Sequence, residues 1–156
     1  MTTRLGRIPS IMTVVVAVLC MNSMFLEEAL GKMPTATIGT NVIKLEVAST
    51  PQEIQHGLMG RTALDKDSGM VFLFKPASPT RFWMYNCFIS LDMLFIKDGK
   101  IMRICENVPP CKSKDPSECP TYPADESVTA SEVIEVNAGY CKQHGIKQGD
   151  TVKFDF

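Results

Sequence analysis

Asp92 and Glu135 are the carboxylates best placed to do chemistry, because each interrupts an apolar run, Leu91-Asp92-Met93-Leu94-Phe95 and Val133-Ile134-Glu135-Val136. Facing one cleft, they would serve acid–base hydrolysis. Kept structural, each buried charge calls for a partner such as Arg61, Arg81 or Arg103. Metal binding is a second chemistry. Cys141 and His144 lie one helical turn apart, with Cys105, Cys111 and Cys119 as further donors, and Zn held by Cys and His is tetrahedral. Met59, Met70, Met84, Met93 and Met102 are ligands that Cu(I) accepts, but dispersed on apolar strands they read as core filler. Nucleophilic catalysis has less support, since His56 and His144 are the only histidines and no serine elbow is present. Recognition is the third chemistry: Arg81, Trp83 and Tyr85 alternate along one stretch, which would give a flat aromatic and cationic surface for a sugar ring, a peptide or a carboxylate. Core packing of Trp83 competes with that reading.

The compartment bears on these choices. Arg4 and Arg7 precede an apolar stretch, Ile11 to Met21, that is short for a bilayer span, and Ala29-Leu30-Gly31 offers small residues for a signal peptidase. We expect residues 1–31 to be a signal peptide and 32–156 to be one domain, exported to a periplasmic or extracellular space, with no stable membrane span after cleavage. Anchoring through the N-terminal segment is the alternative. Lipidation at Cys20 is disfavoured by the bulky Leu19 before it. The chain carries net charge −1, and removing the leader takes two arginines and two glutamates, leaving −1. With no basic cluster to follow a phosphate backbone, nucleic acid is not expected as a partner.

Export points the cysteines toward disulfides. Cys111 and Cys119 close a proline-flanked loop and are the expected pair. Cys105 with Cys141 is a weaker one, which leaves Cys87 free.

The elements that must position these groups are short. Thr37-Ile38 and Val42 to Val47 flank a turn-rich spacer and read as a hairpin. Thr50-Pro51-Gln52-Glu53 is a capping box with Pro at the first helical position, and Gly57 and Gly60 stop the helix early. Met70 to Phe74 is an unbroken apolar run suited to a strand buried on both faces. Arg81 to Ile96 reads as core strand. Asp98-Gly99 is a two-residue hairpin signal that pairs Ile96 with Ile101, Phe95 with Met102, Leu94 with Arg103 and Asp92 with Cys105. Residues 108–125 form one long loop. Glu132 to Val136 is strand, Asn137 caps a brief helix ending at Gly145, and Thr151 to Phe156 is the last strand. Such short strands with two short helices predict a mainly β fold, a compact antiparallel barrel or sandwich.

Six ordered motifs then stand out: Gly57-Leu58-Met59-Gly60-Arg61, Gly69-Met70-Val71-Phe72, Phe82-Trp83-Met84-Tyr85-Asn86, Leu91-Asp92-Met93-Leu94-Phe95, Glu135-Val136-Asn137-Ala138-Gly139 and Gly145-Ile146-Lys147-Gln148-Gly149-Asp150. Together they resemble the DUF192 (UPF0127) family over about Val42 to Phe154. The resemblance implies a small, predominantly β domain, often exported, with no settled activity. It also implies that Trp83-Met84-Tyr85-Asn86-Cys87 stands where family members commonly read Trp-Met-Lys-Asn-Thr, so a cation is lost and a thiol gained.

The leading expectation is therefore a ligand-binding or interaction module for a small molecule, glycan or peptide, without a cofactor. Its site would be one polar and aromatic cleft formed by Arg61, Trp83, Asn86, Asp92 and Glu135. A Zn or Cu protein using Cys141 and His144, and a hydrolase using the carboxylate pair, are the alternatives.

Overall fold

Alternation of apolar and polar side chains shapes β2 (Asn41–Ala48), which buries Ile43 and Leu45 while Val42 and Lys44 face outward. It pairs with β1 (Thr35–Ile38) through a two-residue turn in which Gly39 takes a positive φ. The computed structural model describes residues 32–156. The expected signal peptide (residues 1–31) and Cys20 lie outside the described residues.

After β2 the capping box forms as the sequence predicts. The Thr50 hydroxyl accepts from the Glu53 amide, the Glu53 carboxylate accepts from the Thr50 amide, and Pro51 opens α1 (Pro51–His56). The crossover through α1 returns the chain as β3 (Ser68–Thr80), which lies parallel to β2. All other pairings in the main sheet are antiparallel.

The central stretch is not one strand. It divides into β4 (Phe82–Trp83) and β5 (Leu91–Lys97), separated by a turn in which Asn86 has φ 54°. A hairpin joins β5 to β6 (Lys100–Val108), and both Asp98 and Gly99 adopt the positive φ that such a turn needs. The register is as expected only at Ile96–Ile101. Beyond it Phe95 faces Arg103, Leu94 faces Ile104 and Met93 faces Cys105, because a bulge leaves Met102 exposed. Asp92 therefore does not face Cys105.

The long loop after β6 holds a 3-10 turn (Pro116–Glu118) and β7 (Thr121–Tyr122). The last elements are β8 (Val128–Asn137), α2 (Tyr140–His144) and β9 (Val152–Asp155). Asn137 does not cap α2. It ends β8, and its amide donates to the carbonyl oxygens of Leu64 and Asp65, while Gly139 begins the helix and Gly145 ends it in the left-handed region.

Among the described residues the fold is mainly β: a seven-stranded sheet, order β6-β5-β8-β3-β2-β1-β9, curled into a half-barrel, plus the β4–β7 ribbon. The edge strands meet through a bridge between Lys100 and Thr151. One face of the sheet buries Ile43, Leu45, Val71, Leu94, Ile134 and Cys141; the other buries Met70, Phe72, Met84, Met93, Phe95 and Val133. Close approach of β3 to β8 depends on Gly69, where an added Cβ would strike the Glu135 carbonyl oxygen.

Candidate functional site

The two carboxylates fall on opposite faces of the sheet. On β5 and β8, Asp92 pairs with Val136, and Glu135 pairs with Met93, one position out of phase. Asp92 is completely buried, and three backbone amides donate to its carboxylate: Asn107 and Gly139 to Oδ1 at 2.8 and 3.0 Å, and Cys141 to Oδ2 at 2.9 Å. It ties the end of β6 to the start of α2. No arginine takes part. Arg61 pairs with Glu46 at 2.6 Å on the surface, and Arg103 grips Asp125 with both carboxylate oxygens at 2.8 and 2.9 Å.

The structure thus does not bring the five expected residues into one cleft. Arg61 and Asp92 are engaged elsewhere, and Asn86 is an exposed turn residue whose carbonyl oxygen accepts from the Gly60 amide. Trp83 and Glu135 do meet. They line a cavity of about 210 Å³ between the end of α1 and the β3–β4 corner, together with Phe72, Phe82, Tyr85 and Cys87. Phe74, Leu58, His56 and Arg81 complete its wall and mouth. On this measure a single water needs about 10–15 Å³, so the space admits an organic group.

Local structure explains each wall. Alternation along β3 turns Met70, Phe72 and Phe74 toward the Glu135 face, and Phe82 meets Phe72 edge-on with ring centroids 4.8 Å apart. Gly57, at φ 47°, lets the chain turn off α1 against the Phe72 ring, 3.2 Å from where a Cβ would sit. Trp83 and Tyr85 lie 5.8 Å apart. The opening continues into a groove past Gln52, Gln55 and Pro116.

Glu135 is the exceptional group. Its side chain is 3% exposed, and burial pushes its carboxyl up to about 8. Among the described residues it has neither a hydrogen bond nor an ion pair, and its neighbours across both adjacent strands are Met70 and Met93. The Cys87 thiol beside it is raised to about 11, by burial first and then by the negative charge of Glu135. That thiol is held protonated, which opposes nucleophilic use.

Cysteine positions divide in the same way. Cys111 and Cys119 are joined by a disulfide, whereas Cys105 and Cys141 are free and belong to opposite faces. The Cys105–Cys141 pairing is therefore corrected. The Cys141–His144 metal alternative also lacks the geometry. The Cys141 side chain is buried in the core, His144 stacks on Tyr140 at 4.0 Å with Nδ1 2.9 Å from Asn41, and no cluster of three His, Cys, Asp or Glu occurs among the described residues.

Sequence reasoning missed Phe72, Phe74, Phe82 and Cys87 as pocket residues. The available signal was phase: Phe72 and Phe74 alternate along β3, and Glu135 shares a face with Val133 on a strand that is apolar on both sides.

A curled half-barrel with an aromatic pocket lined by a buried carboxyl defines the class: a small β domain with a half-open pocket on its helix–ribbon face. The chain belongs to the DUF192 family, described as Uncharacterized ACR, COG1430, which matches residues 34–154. Among solved structures it is similar to a protein of unknown function from Novosphingobium aromaticivorans DSM 12444, with TM-score 0.65, 33% identity, 78% of this chain and 83% of that one covered. It is also similar to a protein of Sinorhizobium meliloti 1021 named as a candidate transcription regulator, with TM-score 0.64, 33% identity, and 78% and 91% covered. No curated protein matches the chain.

Proposed function

We propose that this protein is a binding module whose site is the pocket between α1 and the β4–β7 ribbon, taking a small molecule or the end of a larger one such as a peptide or glycan. The observation that carries the reading is Glu135, a buried carboxyl without a protein partner, set in an aromatic wall. Its carboxyl borders the pocket with no hydrogen bond or ion pair from the described residues, so a ligand seated there can supply one. Hydrolysis by a carboxylate pair loses its basis once Asp92 and Glu135 stand on opposite faces. The groove beyond Trp83 gives a longer ligand somewhere to lie.

The reading includes export of a mature chain beginning near Lys32. The Cys111–Cys119 disulfide supports it, and no helix among the described residues is long and apolar enough to cross a membrane.

A fragment screen read by two-dimensional amide NMR tests the site. Binders should shift the Trp83 indole and the amides of residues 54–59, and Trp83→Ala should abolish the response. The control is Asp92→Ala, which leaves three amides, that of Cys141 buried, without their acceptor and should cost about 3–5 kcal/mol in denaturant unfolding. Residual folded Asp92→Ala protein should still bind. Fragments that shift only residues remote from Trp83 would sink the proposal.

A further inference from the structure

We propose that the pocket takes the ammonium head of a small organic cation, with Glu135 as its counter-ion. This deepens the binding-module reading and rests on it. The charge partner that Glu135 lacks is not available from the protein: Met70 and Met93 flank it across both strands, and its remaining contact is with the pocket. An ammonium is the ligand group that pairs with the ionised carboxylate and so offsets the burial that otherwise holds the proton on it. The walls favour the same choice. Trp83, Tyr85, Phe72 and Phe82 surround the space, and ring faces attract a cation, more strongly when it is desolvated.

Size limits the ligand. A cavity of about 210 Å³ lies below the roughly 300 Å³ at which pockets for drug-sized molecules begin, so it holds a head group rather than a whole large ligand. The other titratable or charged groups facing the pocket are Cys87 and Tyr85 on the wall, His56 at the end of α1, and Arg81 at the mouth. Arg81 is exposed, and its guanidinium donates to the Asp125 carbonyl oxygen at 3.2 Å, which holds its charge on the solvent side.

Burial keeps the Glu135 carboxyl protonated in the empty pocket at neutral pH. Cation binding therefore releases a proton: the carboxyl O–H bond breaks, the proton goes to solvent, and the carboxylate pairs with the ammonium. Affinity should then rise about tenfold per pH unit toward pH 8 and level off above it.

The probes are choline and its uncharged carbon isostere, dimethylbutanol, titrated into the mature chain at constant ionic strength and followed at the Trp83 indole. Choline should bind about tenfold or more tightly than dimethylbutanol at pH 8. Glu135→Gln, which mimics the protonated acid and keeps the fold, should lose that preference and its pH slope while still binding dimethylbutanol. The same pH slope retained in Glu135→Gln would overturn Glu135 as the counter-ion. Equal or tighter binding of dimethylbutanol would overturn the cation assignment and leave the binding module standing. Failure of both probes to move Trp83 would also overturn it, while the fragment screen decides the module separately.

Discussion

Glu135 and Asp92 show how differently two buried carboxyls in one sheet can be handled. Asp92 has its negative charge met by three amides, so its burial is compensated and it fastens two elements. Glu135 has no such donors, and its burial acts on its proton instead. The folded state keeps a proton at Glu135 that the unfolded chain gives up near the ordinary value of 4.5. The folded state is favoured in full below that pH, and this contribution is lost as pH rises to about 8. At about 1.4 kcal/mol per unit, the loss is on the order of 5 kcal/mol. Denaturant unfolding measured across this range should show the decline in the wild type and a flatter profile in Glu135→Gln. A wild-type profile as flat as that of the variant would show that Glu135 is hydrated or paired in solution.

The β4–β7 ribbon is what holds Trp83 over the pocket, and the ribbon depends on a loop with little regular structure. Trp83 pairs with Thr121 and Phe82 with Tyr122; the Cys111 amide donates to the Met84 carbonyl oxygen at 3.1 Å, and the disulfide closes the segment between them. Reduction, or Cys111→Ser with Cys119→Ser, should lower stability by about 2–3 kcal/mol by the chain-entropy account. It should also broaden the Trp83 indole signal and weaken fragment binding, which calorimetry and NMR can check together. Unchanged binding in a destabilised protein would mean that the ribbon holds without the loop. The sequence made the capping box, the Asp-Gly turn and the disulfide legible, because each is a local signal with its own mechanism. It did not make the ribbon legible: two-residue strands carry no periodicity, and the partners of Phe82 and Trp83 are far away in the chain. The bulge at Met102 had a trace. Ile101 packs with Ile96, and Ile104 with the same core; residues three apart share a sheet face only if one extra residue intervenes.

At the scale of the molecule, a single sheet serves two cores, one closed by α2 and the edge bridge, the other covered by α1, the ribbon and the pocket. The expected cleft failed at this scale. Polar residues in apolar runs suggest convergence, whereas strand phase sends Asp92 and Glu135 to different cores, and only the pairing register reveals that. Export belongs here as well: intact-mass analysis of secreted material should give a chain starting at or near Lys32, and retention of residues 1–31 would refute cleavage. The bridge between Lys100 and Thr151 has one more consequence. An open sheet offers its outermost strands as templates for a neighbour's backbone, the usual route to ordered aggregation. Here those strands turn toward each other, with the Ile101 and Val152 amides already donating at 3.0 and 2.9 Å, while Arg103 and Glu106 place charge farther along β6. At that corner a neighbour's strand would find the backbone already taken, so a fibre would have to begin farther out, beside those charges.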